Sequence, residues 1–251
     1  MTDDDHRLPR NVRPTGYQLR VRIDLEEDRL DSTVDIDVEL AEATDHIELH
    51  ALDLDIHDVA AGPPGSPQPT TWAVDPGRQR LVVTTPAPLG PGPARLRIES
   101  TAKLGEHLVG CYRSTYRDAE GEHALAVTQF EAAHARRAFP CFDEPSFKAT
   151  FDVTLDITEG LTAVANGAEV ARRPLPGGRV EIDFAQTIPM STYLVAWVVG
   201  RLVQSDPTVV RGVPIRVVHR PGQERLTEFA LGAATHAVEW FEDHFGIPFP
   251  G

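Results

Sequence analysis

Tyr17-Gln18-Leu19-Arg20-Val21-Arg22-Ile23-Asp24 alternates apolar and polar side chains without a break. Val34-Asp35-Ile36-Asp37-Val38-Glu39-Leu40 repeats the pattern, and so does Phe151-Asp152-Val153-Thr154-Leu155-Asp156-Ile157. Successive side chains of a strand point to opposite faces, so each run buries one face and wets the other. Half-buried strands of this kind suit antiparallel sheets, and they predict a mainly β fold.

Outward from these runs, further strands are expected at Ile47 to Leu54, Arg80 to Thr84, Ala94 to Glu99, Leu125 to Glu131, Val180 to Phe184 and Val213 to His219. Tyr193-Leu194-Val195-Ala196-Trp197-Val198-Val199 is apolar throughout and predicts a strand buried on both faces. The Pro/Gly clusters Gly62 to Pro69, Pro86 to Pro93 and Pro174 to Gly178 read as turns and loops, because the alternation resumes after each. From Gln223 to Phe245 the period becomes helical: Leu226, Phe229, Ala230, Ala233, Ala237, Trp240, Phe241 and His244 share one stripe. Gly246 is placed to stop that helix, with Pro248 and Pro250 beyond it. The stripe needs a surface to pack against. Exposure of Leu226, Phe229, Trp240 or Phe241 would mean that the partner surface is elsewhere; burial of all four would mean a self-contained module.

The chain has 251 residues, and 24 Lys+Arg against 38 Asp+Glu give a formal charge of −14. An acidic chain is not expected to bind nucleic acid or an anionic membrane surface. No apolar run approaches the roughly 20 residues of a membrane helix. Met1-Thr2-Asp3-Asp4-Asp5 has no basic n-region and no apolar core of a secretory signal. The expectation is a cytoplasmic protein whose two cysteines, Cys111 and Cys141, are reduced thiols.

The self-sufficient catalytic signatures are missing. None of the ten histidines belongs to an H-E-x-x-H pair, and there is no G-x-S-x-G elbow or P-loop. His236, Glu239 and His244 share the terminal helix, where a polar surface edge is favoured over a metal site; no metal ligand is assigned in this chain. The densest chemistry lies in Val127-Thr128-Gln129-Phe130-Glu131-Ala132-Ala133-His134-Ala135-Arg136-Arg137-Ala138-Phe139-Pro140-Cys141-Phe142-Asp143-Glu144-Pro145. On a strand, Gln129 and Glu131 are two residues apart and would share a face. A carboxylate beside an amide carbonyl is a receptor for a primary ammonium group. The competing reading is structural: ion pairs of Arg136 or Arg137 with Asp143 or Glu144 hold a long loop against the sheet.

This segment resembles the T-Q-F-E…A-R-R-A-F-P-C-F-D-E-P block of the aminopeptidase N-like zinc aminopeptidases, which are gluzincins. The resemblance continues along the chain: Leu8-Pro9-Arg10-Asn11-Val12-Arg13-Pro14, Leu49-His50-Ala51-Leu52-Asp53-Leu54, Gly110-Cys111-Tyr112-Arg113-Ser114, Pro189-Met190-Ser191-Thr192-Tyr193-Leu194-Val195-Ala196, and Phe241-Glu242-Asp243-His244-Phe245-Gly246-Ile247-Pro248-Phe249-Pro250. Cys111 stands where an apolar Phe or Leu is usual, and His134 where Asp is usual. The family's G-A-M-E-N motif, its H-E-x-x-H zinc site with a third glutamate ligand, and its oxyanion-stabilising tyrosine have no counterpart in these residues.

The resemblance implies a saddle-like N-terminal domain of packed antiparallel or mixed sheets over 1–204. It also implies the incomplete start of a thermolysin-like catalytic domain, one strand and one long helix, over 205–251. The chain is then expected to be the substrate-recognition part of a zinc aminopeptidase, truncated before the zinc site and inactive alone. Residues matching Gln129 and Glu131 face the family's active-site cavity, and the glutamate helps to hold the free α-amino group of a peptide. The complete enzyme would use zinc-bound water against the scissile carbonyl, while Glu131 enforces the exopeptidase register. Expected partners are peptide N-termini and the missing catalytic domain, in cis or as a separate chain. Arg136, Arg137, Asp143 and Glu144 are assigned to structure, and His50 to a strand edge. The alternative is a stand-alone, non-catalytic peptide- or protein-binding β module, or one half of a split aminopeptidase.

Overall fold

The computed structural model describes residues 6–249; the acidic start and Pro250 and Gly251 lie outside the described residues. The chain divides into two compact units, one of residues 1–159 with 163–199, the other of 160–162 with 200–251.

The first unit is built from strands β1 (Val12–Asp24), β2 (Arg29–Leu40), β3 (Thr44–His50), β4 (Asp55–Gly62), β5 (Gln68–Pro69), β6 (Thr71–Asp75), β7 (Arg80–Leu89), β8 (Gly92–Lys103), β9 (Gly110–Asp118), β10 (Gly121–Gln129), β11 (Thr150–Thr158), β12 (Thr162–Ala165), β13 (Glu169–Leu175), β14 (Arg179–Phe184) and β15 (Trp197–Gly200). The largest sheet runs β13-β14-β11-β1-β2-β8-β4-β5; a second runs β12-β15-β10-β9, and a third β3-β7-β6. β1 is antiparallel to β2 but parallel to β11, so the large sheet is mixed. The fold is mainly β, as the alternation predicts. On β1, Tyr17, Leu19, Val21 and Ile23 are buried while Gln18, Arg20 and Arg22 are exposed.

An aromatic chain ties the buried face of the large sheet to the four-stranded sheet. Tyr17 stacks on Phe151 with centroids 4.6 Å apart and meets Phe139 edge-on at 6.4 Å. Phe139 in turn contacts Phe130 at 6.0 Å and Trp197 of β15 at 6.4 Å. Such pairs add to the stabilisation already supplied by burial of their area.

Four local expectations change. Residues 193–199 do not form a strand buried on both faces: Thr192–Leu194 is a 3₁₀ turn, the ladder begins at Trp197, and Leu194 and Ala196 are exposed. Side-chain anchors hold this turn, with the Ser191 hydroxyl donating to the Pro145 carbonyl at 2.8 Å and Thr192 Oγ1 to Asp143 Oδ1 at 2.5 Å. The Pro86–Pro93 segment is not all loop, because β7 continues to Leu89 opposite a register shift in β3. Pro174 likewise sits in β13, an edge strand, the place in a sheet where proline is accepted. Residues 213–219 split into two short strands.

The second unit contains β16 (Val203–Gln204), β17 (Thr208–Val210), β18 (Val213–Ile215), β19 (Val218–His219) and helix α1 (Thr227–Phe245). β16 pairs with β19 and β17 with β18. A 3₁₀ turn, Glu224–Leu226, precedes α1, and Gly246 caps it in the left-handed region at φ 66°. Arg211 clips the unit with a bidentate pair to Asp243, at 2.6 and 3.0 Å. Within this unit Leu226, Phe229, Trp240 and Phe241 are all exposed.

Candidate functional site

The site begins where β10 ends. Gln129 is the last strand residue, paired with Gly110 of β9. Glu131 lies beyond the strand, in the turn that leads into a 3₁₀ helix at Ala135–Arg137. Strand alternation therefore does not place Glu131, contrary to the reading of Leu125 to Glu131 as one strand. Phe130 places it instead. Its ring is buried against Phe139 and Trp197, at 6.0 and 5.4 Å, and the two residues flanking it are exposed. The Gln129 amide Nε2 donates to the Glu131 carbonyl oxygen at 3.5 Å. No ion pair or hydrogen bond engages the Glu131 carboxylate among the described residues. The Glu131–Ala132 peptide bond is cis.

Behind this exposed pair stands a buried polar frame. Arg136 Nε donates to Asp143 Oδ2 at 2.9 Å, Nη2 to the Asp143 carbonyl at 3.0 Å and Nη1 to Gln79 Oε1 at 3.0 Å. Asp143 is 3% exposed and also accepts the Thr192 hydroxyl. The Arg136 carbonyl accepts from Leu52 N–H at 2.9 Å. One pair of hydrogen bonds, His50 N–H to the Cys141 carbonyl at 2.8 Å and Cys141 N–H to the His50 carbonyl at 3.0 Å, joins the loop to the end of β3. Phe142 N–H donates to the Tyr17 hydroxyl at 3.1 Å, and Arg10 Nη2 donates to Glu144 Oε2 at 3.0 Å. Arg137 pairs with Asp53 rather than with Asp143 or Glu144. The four charged residues assigned to structure are thus all engaged in holding the loop.

His50 ends β3 but is not a solvent edge; it is 2% exposed. Arg80 Nη1 lies 2.5 Å from its Nε2, and Asp143 N–H lies 3.2 Å from its Nδ1. Both ring nitrogens face donors. Burial, reinforced by the charges of Arg136 and Arg80, pushes the imidazole pKa down to about 2. Gly110 shows why the 3₁₀ helix can approach β9. It has φ +70°, and a Cβ there would lie 3.1 Å from Arg137 Cβ. His134 makes no side-chain cap bond to the 3₁₀ helix, and its Nδ1 is buried without a partner.

Sequence reasoning missed Phe130, Gly110 and Arg80. Phe130 and Gly110 lie inside quoted motifs, but only the fold shows that one turns inward and the other admits a neighbour. His236, Glu239 and His244 form no metal set; His244 stacks on Trp240 at 4.6 Å instead. Among the described residues, no group of three His, Cys, Asp or Glu is placed to hold a metal ion. Burial pushes the Cys111 thiol up to about 12 and the Cys141 thiol well above its ordinary value. No described helix is long and apolar enough to cross a membrane.

A family profile described as the Peptidase M1 N-terminal domain matches residues 13–194. The chain belongs to that family. It is 36% identical over 248 residues to the puromycin-sensitive aminopeptidase of Caenorhabditis elegans, covering 97% of this chain and 26% of the relative. Endoplasmic reticulum aminopeptidase 1 of Homo sapiens is 34% identical over 250 residues, covering 97% and 27%. Aminopeptidase M1 of Arabidopsis thaliana is 33% identical over 252 residues, covering 97% and 28%. The chain therefore spans about a quarter of the length of these relatives.

Proposed function

We propose that this chain is the substrate-recognition part of an aminopeptidase, and that Glu131 with Gln129 receives the free α-ammonium group of a peptide. One observation carries the reading: both side chains are exposed on either side of the buried Phe130, and the Glu131 carboxylate has no partner among the described residues. An ammonium group offers three donors. The carboxylate supplies charge and acceptors, and the Gln129 carbonyl supplies a further acceptor. The family membership and the aminopeptidase relatives support the choice of a peptide N-terminus as the ligand.

The zinc of such an enzyme does not fit the described residues, which offer no ligand set. The reading assigns metal and hydrolytic chemistry to the rest of a complete enzyme and gives this chain a positioning role. By itself the chain is then inactive.

The test is an amide-resolved NMR titration of the 251-residue chain with leucinamide and with N-acetyl-leucinamide. The reading expects saturable shifts at Gln129 to Ala133 with the free amine, none with the acetylated compound, and saturation at higher leucinamide concentration in Glu131→Gln. Equal responses to both compounds, or an unchanged response in the variant, would sink it. A parallel assay with an aminoacyl anilide and added zinc should show no turnover above a protein-free blank.

A further inference from the structure

The outward face of the large sheet carries a row of polar and charged side chains. The central strand β1 presents Gln18, Arg20 and Arg22 outward. Gln18 stands opposite Asp152 of β11 and Asp35 of β2; Arg20 stands opposite Thr154 and Thr33. The two threonines are shorter than the side chains beside them. A hollow of 420 Å³ opens around Arg20 as a result, bounded by Gln18, Asp152 and the Asp35–Arg97 pair.

The charges around this hollow are not all matched. Arg97 Nη1 donates to Asp35 at 2.9 Å, and Arg95 binds Asp37 bidentately at 2.7 and 2.9 Å. Arg173 and Arg179 hold Glu181 and Asp156, at 2.7 and 2.6 Å. Arg20 is different. Its ion pair is a 3.3 Å contact with Glu181, which already accepts two hydrogen bonds from Arg173, and the Arg20 side chain is 63% exposed. Asp152 is the opposite case: it accepts from Gln186 Nε2 at 2.9 Å and has no cation among the described residues. The Gln18 amide and the Thr33 hydroxyl also have no side-chain partner among the described residues.

One loosely paired guanidinium and one carboxylate without a cation therefore border the same hollow. They sit on the neighbouring parallel strands β1 and β11, where Asp152 is opposite Gln18 and Arg20 is two residues further along the same face. We propose that this hollow binds a small zwitterion, an α-amino acid, with its carboxylate on Arg20 and its ammonium on Asp152. Thr33 and Gln18 supply the remaining hydrogen bonds. A simple anion is disfavoured, because Asp35 and Asp152 flank the guanidinium. A simple cation is disfavoured by Arg20 and Arg97. The hollow volume falls in the range of small-molecule sites, and its polar lining favours a compact, hydrophilic side chain.

The proposal is independent of the reading of Glu131, and one experiment separates them. Amide-resolved NMR of the 251-residue chain is followed during titration with glycine, glycinamide and N-acetylglycine. The expected result is saturable shifts at Arg20, Thr33 and Thr154 with glycine, and much weaker ones with either capped compound. Arg20→Gln and Asp152→Asn should each weaken glycine binding by roughly two- to fivefold. Both positions are on the solvent side of the sheet, so the variants keep the dispersed spectrum of the folded chain. Glycinamide shifts confined to Gln129 to Ala133 report the Glu131 site and leave the hollow unaffected. Absence of saturable shifts with glycine, equal responses to glycine and a capped compound at Arg20, or unchanged affinity in both variants would overturn the proposal.

Discussion

Replacing Asp143 with alanine tests whether the loop that carries Glu131 is held by its buried ion pair. Asp143 is 3% exposed and Arg136 is 9% exposed. The substitution removes the acceptor of Arg136 Nε at 2.9 Å and of the Thr192 hydroxyl at 2.5 Å. Arg136 keeps Gln79 and the Asp143 backbone carbonyl, but its charge is left buried without a counter-ion. Breaking a buried pair from one side costs about 3–5 kcal/mol. The two retained hydrogen bonds put Asp143→Ala toward the lower figure, about 3 kcal/mol. For a domain of this size each kcal/mol lowers Tm by about 2–4 °C, which gives a fall of about 6–12 °C. The internal control is Glu169→Ala. Glu169 and Arg172 also form a bidentate pair, at 2.9 Å twice, but their side chains are 39% and 41% exposed. An exposed pair contributes about 0.2–1 kcal/mol, so this variant should shift Tm by no more than about 4 °C. Urea unfolding followed by intrinsic fluorescence, alongside calorimetry, reads both. A loss below about 1 kcal/mol in Asp143→Ala, or equal losses in the two variants, would refute the assignment of the frame to Asp143.

The folded-state pKa of His50, about 2, lies below its ordinary value of 6.5, so the unfolded chain takes up a proton that the folded chain refuses as pH falls. His50 therefore makes the fold lose stability on acidification below the ordinary value, by about 1.4 kcal/mol per pH unit, and denaturation at stepped pH should show a shallower dependence in His50→Gln. Cys111 and Cys141 are buried, and burial raises both thiol pKa values. A thiol reagent at mildly alkaline pH should leave both unmodified in the native chain and label both in denaturant; fast native labelling would contradict the packing. Gly110→Ala should cost about 1–2 kcal/mol by urea unfolding, since it combines φ +70° with a 3.1 Å approach to Arg137. A neutral result would mean that the 3₁₀ helix does not press on β9.

The alternation of Tyr17 to Asp24 and of Val34 to Leu40 was enough to read the two central strands, because burial on one face imposes a period that sequence alone displays. The helix of Thr227–Phe245 and its Gly246 cap were legible for the same reason. Tyr193 to Val199 misled because apolarity does not say which backbone groups are already taken. There, the anchors from Thr192 to Asp143 and from Ser191 to Pro145 span 46 residues or more, and no local pattern encodes them. The same limit applies at the site. Gln129 and Glu131 could be singled out by type and spacing, but strand periodicity reaches only Gln129 and does not place Glu131. Phe130 turns inward because Phe139 and Trp197 receive it, and those partners meet it only in the fold. The division of labour within 127–145 was half legible: the Arg136–Asp143 pair was among those anticipated, whereas Arg137 found Asp53, far back in the chain.

The central claim is that the Glu131 carboxylate captures a free α-ammonium group, and the most direct measurement is the Kd of leucinamide for the chain and for Glu131→Gln under the same low-salt conditions. Glu131 is exposed, so removing its charge should cost about 0.5–1 kcal/mol, a roughly two- to fivefold weaker Kd that added salt diminishes. Identical Kd values for the two proteins at low salt would contradict the account.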